Sequence, residues 1–210
     1  MILIGMFDSP FVRRVAISMR LLDIAFEHRN WSVGKDQQQI RLYNPLGRVP
    51  TLVLDDGEAL VESAAILDYL DERVGESRAL LPRSGPARRQ GLKLMCIASG
   101  AADKGVSQIY ERAFRPEDKR HQPWVDRCRE QMEGGLAELD RACAALTPGA
   151  WLAGGRMLQP DITVACCYTL MVEAVGFDAA RFPALAAHVA RCEALPVFHE
   201  FHLPFFTPNS

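Results

Sequence analysis

Three short stretches of the chain hold side chains suited to gripping an anion, an ammonium or a peptide backbone. Ser9 stands before Pro10, and proline is favoured at the first position of a helix, which puts Ser9 at a helix start. There its hydroxyl can cap the helix, or it can donate to an anion that the positive helix end already attracts. With one donor and two acceptor positions it can do both. Glu62-Ser63 follows a hairpin and opens another helix, where unpaired N–H groups attract a carboxylate and Glu62 offers its charge to an ammonium. A plainer reading of that pair is a serine N-cap beside a solvated acid. Val49-Pro50 leads into a strand and by itself reads as an ordinary proline at a strand start.

Other residues are weaker candidates. Cysteines at 96, 128, 143, 166, 167 and 192 include no Cys-x-x-Cys pair, and they read as reduced, buried helix residues. Cys166 and Cys167 are adjacent on one helix and point in different directions, which disfavours a disulfide between them. His199-Glu200-Phe201-His202 has a spacing that could hold a metal, but it lacks a third ligand and the His-Glu-x-x-His pattern, so a surface cluster is expected and no metal site is assigned. Tyr110, Phe114, Trp124, Phe205 and Phe206 are candidates for an apolar pocket, but aromatics at helical spacing are more often core, and none is assigned.

The elements that must position these groups follow from periodicity. The run 2–5 is a short strand. Apolar Phe11, Val12, Val15, Ala16, Met19 and Leu22 recur at helical spacing, and 25–31 alternates as a second strand. That is a β-α-β unit with parallel strands. Its turn, Phe7-Asp8-Ser9-Pro10, has no glycine-rich phosphate loop, so a nucleotide fold is set aside. After a polar segment, 51–54 and 59–61 flank Asp55-Asp56-Gly57 as a hairpin, and a helix runs on from Glu62-Ser63. The order is β-α-β-α-β-β-α. Residues 81–86 are rich in proline, glycine and polar groups and mark a boundary. Beyond it helical patterns cover 87–114, 122–146, 161–175 and 183–195.

Composition narrows the partners. The 210 residues are 49% hydrophobic, enough for a substantial core, and 24 basic against 26 acidic residues give a formal charge of −2. Nothing in that balance favours nucleic acid or an anionic membrane. The first eight residues lack a basic region and a cleavage site, and no apolar run approaches the ~20 residues needed to span a bilayer. A soluble, cytoplasmic protein is the expectation.

Four motifs then carry a resemblance to the soluble glutathione transferases. Ser9-Pro10-Phe11-Val12-Arg13-Arg14-Val15 is similar to the first-helix segment of serine-type bacterial, theta-like and zeta-like members. Asn44-Pro45-Leu46-Gly47-Arg48-Val49-Pro50-Thr51-Leu52 resembles the loop leading into their third strand, and Glu62-Ser63-Ala64-Ala65-Ile66 their acidic-serine pair. Phe182-Pro183-Ala184-Leu185 through Arg191-Cys192-Glu193-Ala194-Leu195-Pro196 is close to their penultimate helix. One departure concerns Asp161, which begins a core helix: Leu158 occupies the place of the usual capping Ser or Thr. The cap must come from Gln159 or Asp161, with a helix start weaker by ~1 kcal/mol.

The resemblance implies an α/β thioredoxin-like domain over 1–80, a linker over 81–87 and an all-helical domain over 88–210. It implies that Ser9 donates to the sulfur of glutathione, a thiol of ordinary pKa ~8.5 that must be deprotonated to react. It further implies a cis bond at Val49-Pro50, with the Val49 backbone facing the cysteinyl part of the tripeptide, and Glu62 and Ser63 at its γ-glutamyl end. Arg48 is expected at the glycyl carboxylate and Arg13 near the mouth of the site. Asp103 either reaches towards a partner subunit's glutathione or is an ordinary helix-face charge. The implied activity is conjugation of glutathione, as co-substrate, to a small apolar electrophile in detoxification, by a homodimer with no metal and no bound cofactor. The alternative is a non-catalytic binding or regulatory protein of the same architecture.

Overall fold

The computed structural model describes residues 1–205. Strands β1 (Ile2–Ile4), β2 (Glu27–Arg29), β3 (Thr51–Val53) and β4 (Ala59–Val61) form one sheet in the order β2-β1-β3-β4. β1 runs parallel to β2 with Leu3 opposite His28, and antiparallel to β3 with Leu3 opposite Leu52. β3 and β4 complete the expected hairpin.

Because side chains alternate across a strand, neighbouring residues serve different layers. Leu3 and Leu52 join the main core with helices α1 (Pro10–Leu21) and α3 (Ser63–Val74). Ile4 and Val53 point to the other face and pack with Ile40 of the short helix α2 (Gln37–Arg41), beside Trp31 and Tyr43. At the end of β1, Gly5 has φ +131, and a Cβ there would lie 2.6 Å from Val12 Cγ2 and 2.8 Å from Val49 Cβ. Only glycine lets α1 and the Val49-Pro50 turn close together on the strand end.

The second domain contains α4 (Gly85–Phe114), α5 (Gln122–Ala144), α6 (Gln159–Leu170), α7 (Pro183–Glu193) and α8 (Pro196–Glu200). α6 is its centre, buried along nearly its whole length and packed on α4, α7 and α1. The pattern expected over 161–175 divides into α6 and a π-helical turn, Met171–Val175. α8 falls where no element was expected. The start of α6 is held by Asp161, whose Oδ2 accepts from Leu158 N at 2.9 Å and Oδ1 from Leu152 N at 3.0 Å. Asp161 supplies the missing cap, while Gln159 turns its side chain to Ser18, with Nε2 donating to Oγ at 2.6 Å. None of the described helices is long and apolar enough to cross a membrane.

Candidate functional site

α1 carries Ser9 at its N-cap and is wedged between the sheet and the helical domain. Ser9 has extended backbone angles, φ −74 and ψ 123, with Pro10 at the first helical position. Its carbonyl accepts from Arg13 N at 2.9 Å and its N–H donates to Met6 O at 3.2 Å. The side chain makes no capping hydrogen bond. The half-buried hydroxyl is therefore not consumed by the helix start that its sequence context would equally have explained.

The Val49-Pro50 bond is cis, as the resemblance implied. Asn44, fully buried, shapes the loop before it: Nδ2 donates to Arg48 O at 2.9 Å, and Oδ1 accepts from Leu46 N at 3.0 Å. Among the described residues, the fold's hydrogen bonds use neither backbone polar group of Val49. They are available to pair with an extended peptide.

Glu62 alone connects β4 to α3, and the reversal forces it to φ 67 and ψ 126. A non-glycine residue held there costs on the order of 1–3 kcal/mol, and such strain concentrates at functional sites. Half of its side chain remains in solvent, and Oε1 lies 3.5 Å from Arg48 Nη1. Ser63 is buried at 3% exposure, and its Oγ accepts from Arg14 Nη2 at 2.6 Å. The two charges expected at opposite ends of a tripeptide, Arg48 and Glu62, thus meet each other in this structure.

Asp103 of α4 faces the same cluster. Burial pushes its carboxyl up, Arg48 draws it down and Glu62 pushes it up, which sets all three within electrostatic reach although Asp103 keeps a solvent-exposed edge. Farther along α4, burial raises the Tyr110 hydroxyl, opposed by Arg48 and assisted by Asp8. Tyr110 and Phe114 stack edge to face with centroids 5.2 Å apart, and 47% and 64% of their surfaces are exposed. Trp124 is also exposed, with Lys104 Nζ 5.5 Å from its ring. Phe205 packs against the main core, and Phe206 lies outside the described residues.

Sequence reasoning missed two features. Arg13 was expected near the mouth, but it is 3% exposed and paired with Glu193 through Nη1–Oε1 at 2.8 Å and Nη2–Oε2 at 2.6 Å, with Nη2 also donating to Phe198 O. Arg14 was assigned nothing, yet it touches Ser63 directly. The only sequence signal was a pair of adjacent cations near the start of a mostly apolar helix, and arginine is ordinarily a solvated group.

The cysteines divide differently from expectation: Cys96 is exposed and five are buried, all unpaired. Burial pushes the thiols of Cys143, Cys167 and Cys192 up to about 12, and that of Cys166 upward as well. Burial thus disfavours the thiolate form of these four cysteines. The His199–His202 stretch makes no metal cluster among the described residues, and His202 Nε2 is 2.8 Å from Glu173 Oε1 instead.

Residues 3–78 match the glutathione S-transferase N-terminal domain, and residues 122–191 the C-terminal domain. The uncharacterized GST-like protein YibF of Escherichia coli strain K12 is 32% identical over 138 residues, covering 66% of this chain and 67% of that protein. A glutathione S-transferase from Methylobacterium radiotolerans, crystallised with glutathione sulfonate, superimposes with a TM-score of 0.87 at 29% identity, covering 100% of this chain and 95% of its own. A family member from Pseudomonas fluorescens Pf-5 with bound glutathione has a TM-score of 0.83 at 30% identity, covering 97% and 99%.

Proposed function

The chain belongs to the glutathione S-transferase family, and from that premise we propose that it binds glutathione along the Val49-Pro50 edge and activates its thiol through Ser9. The observation that carries this reading is the Ser9 hydroxyl, unspent on capping at the positive end of α1. One charge-assisted hydrogen bond and a helix terminus both favour an anionic sulfur. Each ~1.4 kcal/mol of such preference raises the thiolate population tenfold.

The tripeptide lies with its cysteinyl amide on Val49, its γ-glutamyl end at Glu62 and Ser63, and Asp103 beside the same end. Arg48 leaves Glu62 to take the glycyl carboxylate. That exchange is inexpensive, because an exposed ion pair contributes only ~0–1 kcal/mol. Tyr110 and Phe114 form an apolar wall for a small electrophile, to which the thiolate adds, forming a carbon–sulfur bond and releasing the leaving group. The active form is a cytoplasmic homodimer, and sedimentation at micromolar concentration checks its mass.

The deciding measurement is the ultraviolet absorbance of thiolate in bound glutathione, titrated against pH. In the wild type the transition falls below the free thiol's ~8.5, and in Ser9→Ala it moves back up. Bound glutathione with an unshifted thiol would make this a carrier or docking protein, and absence of binding would leave the family assignment without the activity.

A further inference from the structure

The loop that carries Ser9 is tied down at its start by His28 of β2. β1 ends at Ile4, and just beyond it Gly5 N donates to Arg29 O at 3.0 Å. Arg29 O also accepts from Trp31 N at 2.8 Å, so the chain of β2 turns away and the ladder stops there. Gly5 O is met by a side chain instead, His28 Nε2, at 2.7 Å. A carbonyl only accepts, so the imidazole carries a proton on Nε2 and donates it. Both backbone polar groups of Gly5 are thus tied to β2.

The same ring holds the loop a second time. Phe7 lies face to face on the imidazole, with centroids 3.9 Å apart and planes 10° from parallel. Phe7 also packs edge to face with Phe201 at 5.1 Å, and Phe201, buried, comes from the segment after α8. Two residues beyond Phe7 the turn closes, with Ser9 N donating to Met6 O at 3.2 Å. The Ser9 hydroxyl is not fixed by capping α1. Its direction is therefore set by the backbone of residues 5–9, and one side chain clamps that backbone at both Gly5 and Phe7.

We infer that His28 is a positioning residue for Ser9. Its Nε2–H fixes Gly5, its ring fixes Phe7, and together they aim the Ser9 hydroxyl at the ligand sulfur. This rests on the glutathione reading above and deepens it, because the donor is oriented before the ligand arrives rather than ordered by it. The consequence is that His28 governs thiol activation and leaves tripeptide binding alone, since Val49, Glu62 and Ser63 stand on other segments.

The test is the pH titration of thiolate absorbance in bound glutathione, carried out on wild type, Ser9→Ala, His28→Ala and the double variant. His28→Ala should move the thiol transition up by about one pH unit, a roughly tenfold loss of thiolate at neutral pH. Its Kd for glutathione should stay within about twofold of wild type at about pH 5, where the thiol is protonated throughout. His28→Gln should recover part of the shift, because an amide can still donate to Gly5 O. In the Ser9→Ala background, His28→Ala should move the transition no further, since both changes act through one hydroxyl. An unmoved transition in folded His28→Ala, or a full added shift in the double variant, overturns the inference, while a wild-type transition lowered through Ser9 keeps the functional reading intact. A wild type whose bound thiol is not lowered overturns the functional reading and this inference with it. Circular dichroism monitors folding; should His28→Ala not fold, His28→Phe, which keeps a ring against Phe7 and removes the donor to Gly5, carries the test with the same expected non-additivity.

Discussion

Arg13 and Arg14 are neighbours in α1 with the same 3% exposure, yet their surroundings are opposite. Arg13 points into the seam with α7 and α8, where Glu193 takes it bidentately and the Phe198 carbonyl takes a third bond. Arg14 points to the other side, where Ser63, Ser99 and Thr163 supply oxygens without charge. The first arginine is closed by the protein and holds two domains together. The second is ringed by hydroxyls, with no carboxylate bonded to it and Glu62 and Asp103 only within electrostatic reach. Burial alone does not tell how a cation is held; the charge of its partners does.

The strongest challenge to that contrast is Arg13→Met, which strands Glu193 in the seam. Removing one partner of a buried pair costs about 3–5 kcal/mol, and since Glu193 keeps 25% of its side chain in solvent, a loss of ~3 kcal/mol in urea denaturation is expected. The folded variant should still bind glutathione, because Arg13 does not face Ser63, and loss of binding would mean that the two arginines act as one unit.

Ser9→Ala should behave in the reverse manner. The hydroxyl caps nothing, so stability should change by less than ~0.5 kcal/mol, whereas kcat/KM with an electrophile such as 1-chloro-2,4-dinitrobenzene should fall about ten- to a hundredfold. Its pH–rate profile should shift to higher pH, because a sulfur lacking the donor needs a higher pH to ionise. A thermal transition lowered as far as that of Arg13→Met would reveal a structural hydroxyl instead.

Ser99→Asp would make Arg14 resemble Arg13 by giving it an internal carboxylate. The melting temperature should be unchanged or raised, since an ion pair replaces a neutral contact, and a lowered melting temperature would show that the site does not accept a carboxylate.

The smallest signal concerns the thiols beside these arginines. Cys166 feels Arg13 and Cys167 feels Arg14, yet burial dominates and both remain protonated. At pH 8 a disulfide reagent should label Cys96 rapidly and the five buried cysteines only on unfolding. Cys143, Cys167 and Cys192 hold their protons to about 12 in the folded chain against an ordinary 9.0. The unfolded chain therefore loses those protons first as pH rises, and stability should decline from about pH 9 towards 12. A flat melting temperature across that window would contradict the burial of these thiols.

Much of this organisation was legible in the chain as written. Ser9-Pro10, Val49-Pro50 and Glu62-Ser63 announce themselves because proline positions, helix starts and hairpin turns are local chemistry, readable within a few residues. The strands and the flanking helices of the β-α-β-α-β-β-α order followed from local pattern for the same reason, whereas α2 lies in what read only as a polar segment. The π-helical turn after α6 was not legible, since Met171–Val175 continues the apolar pattern without a break. Leu158 looked like a missing cap, and only the folded chain shows Asp161 serving two N–H groups from different segments.

The sequence by itself determined where the chain turns, which residues open its helices and which family of folds it enters, because those depend on contacts between near neighbours. Tertiary structure alone decided what Arg13 and Arg14 touch. Glu193 lies 180 positions from Arg13, and Thr163 lies 149 positions from Arg14. Whether a buried charge finds a carboxylate or a hydroxyl is set by which helix packs on which side of α1, and no local pattern encodes that choice.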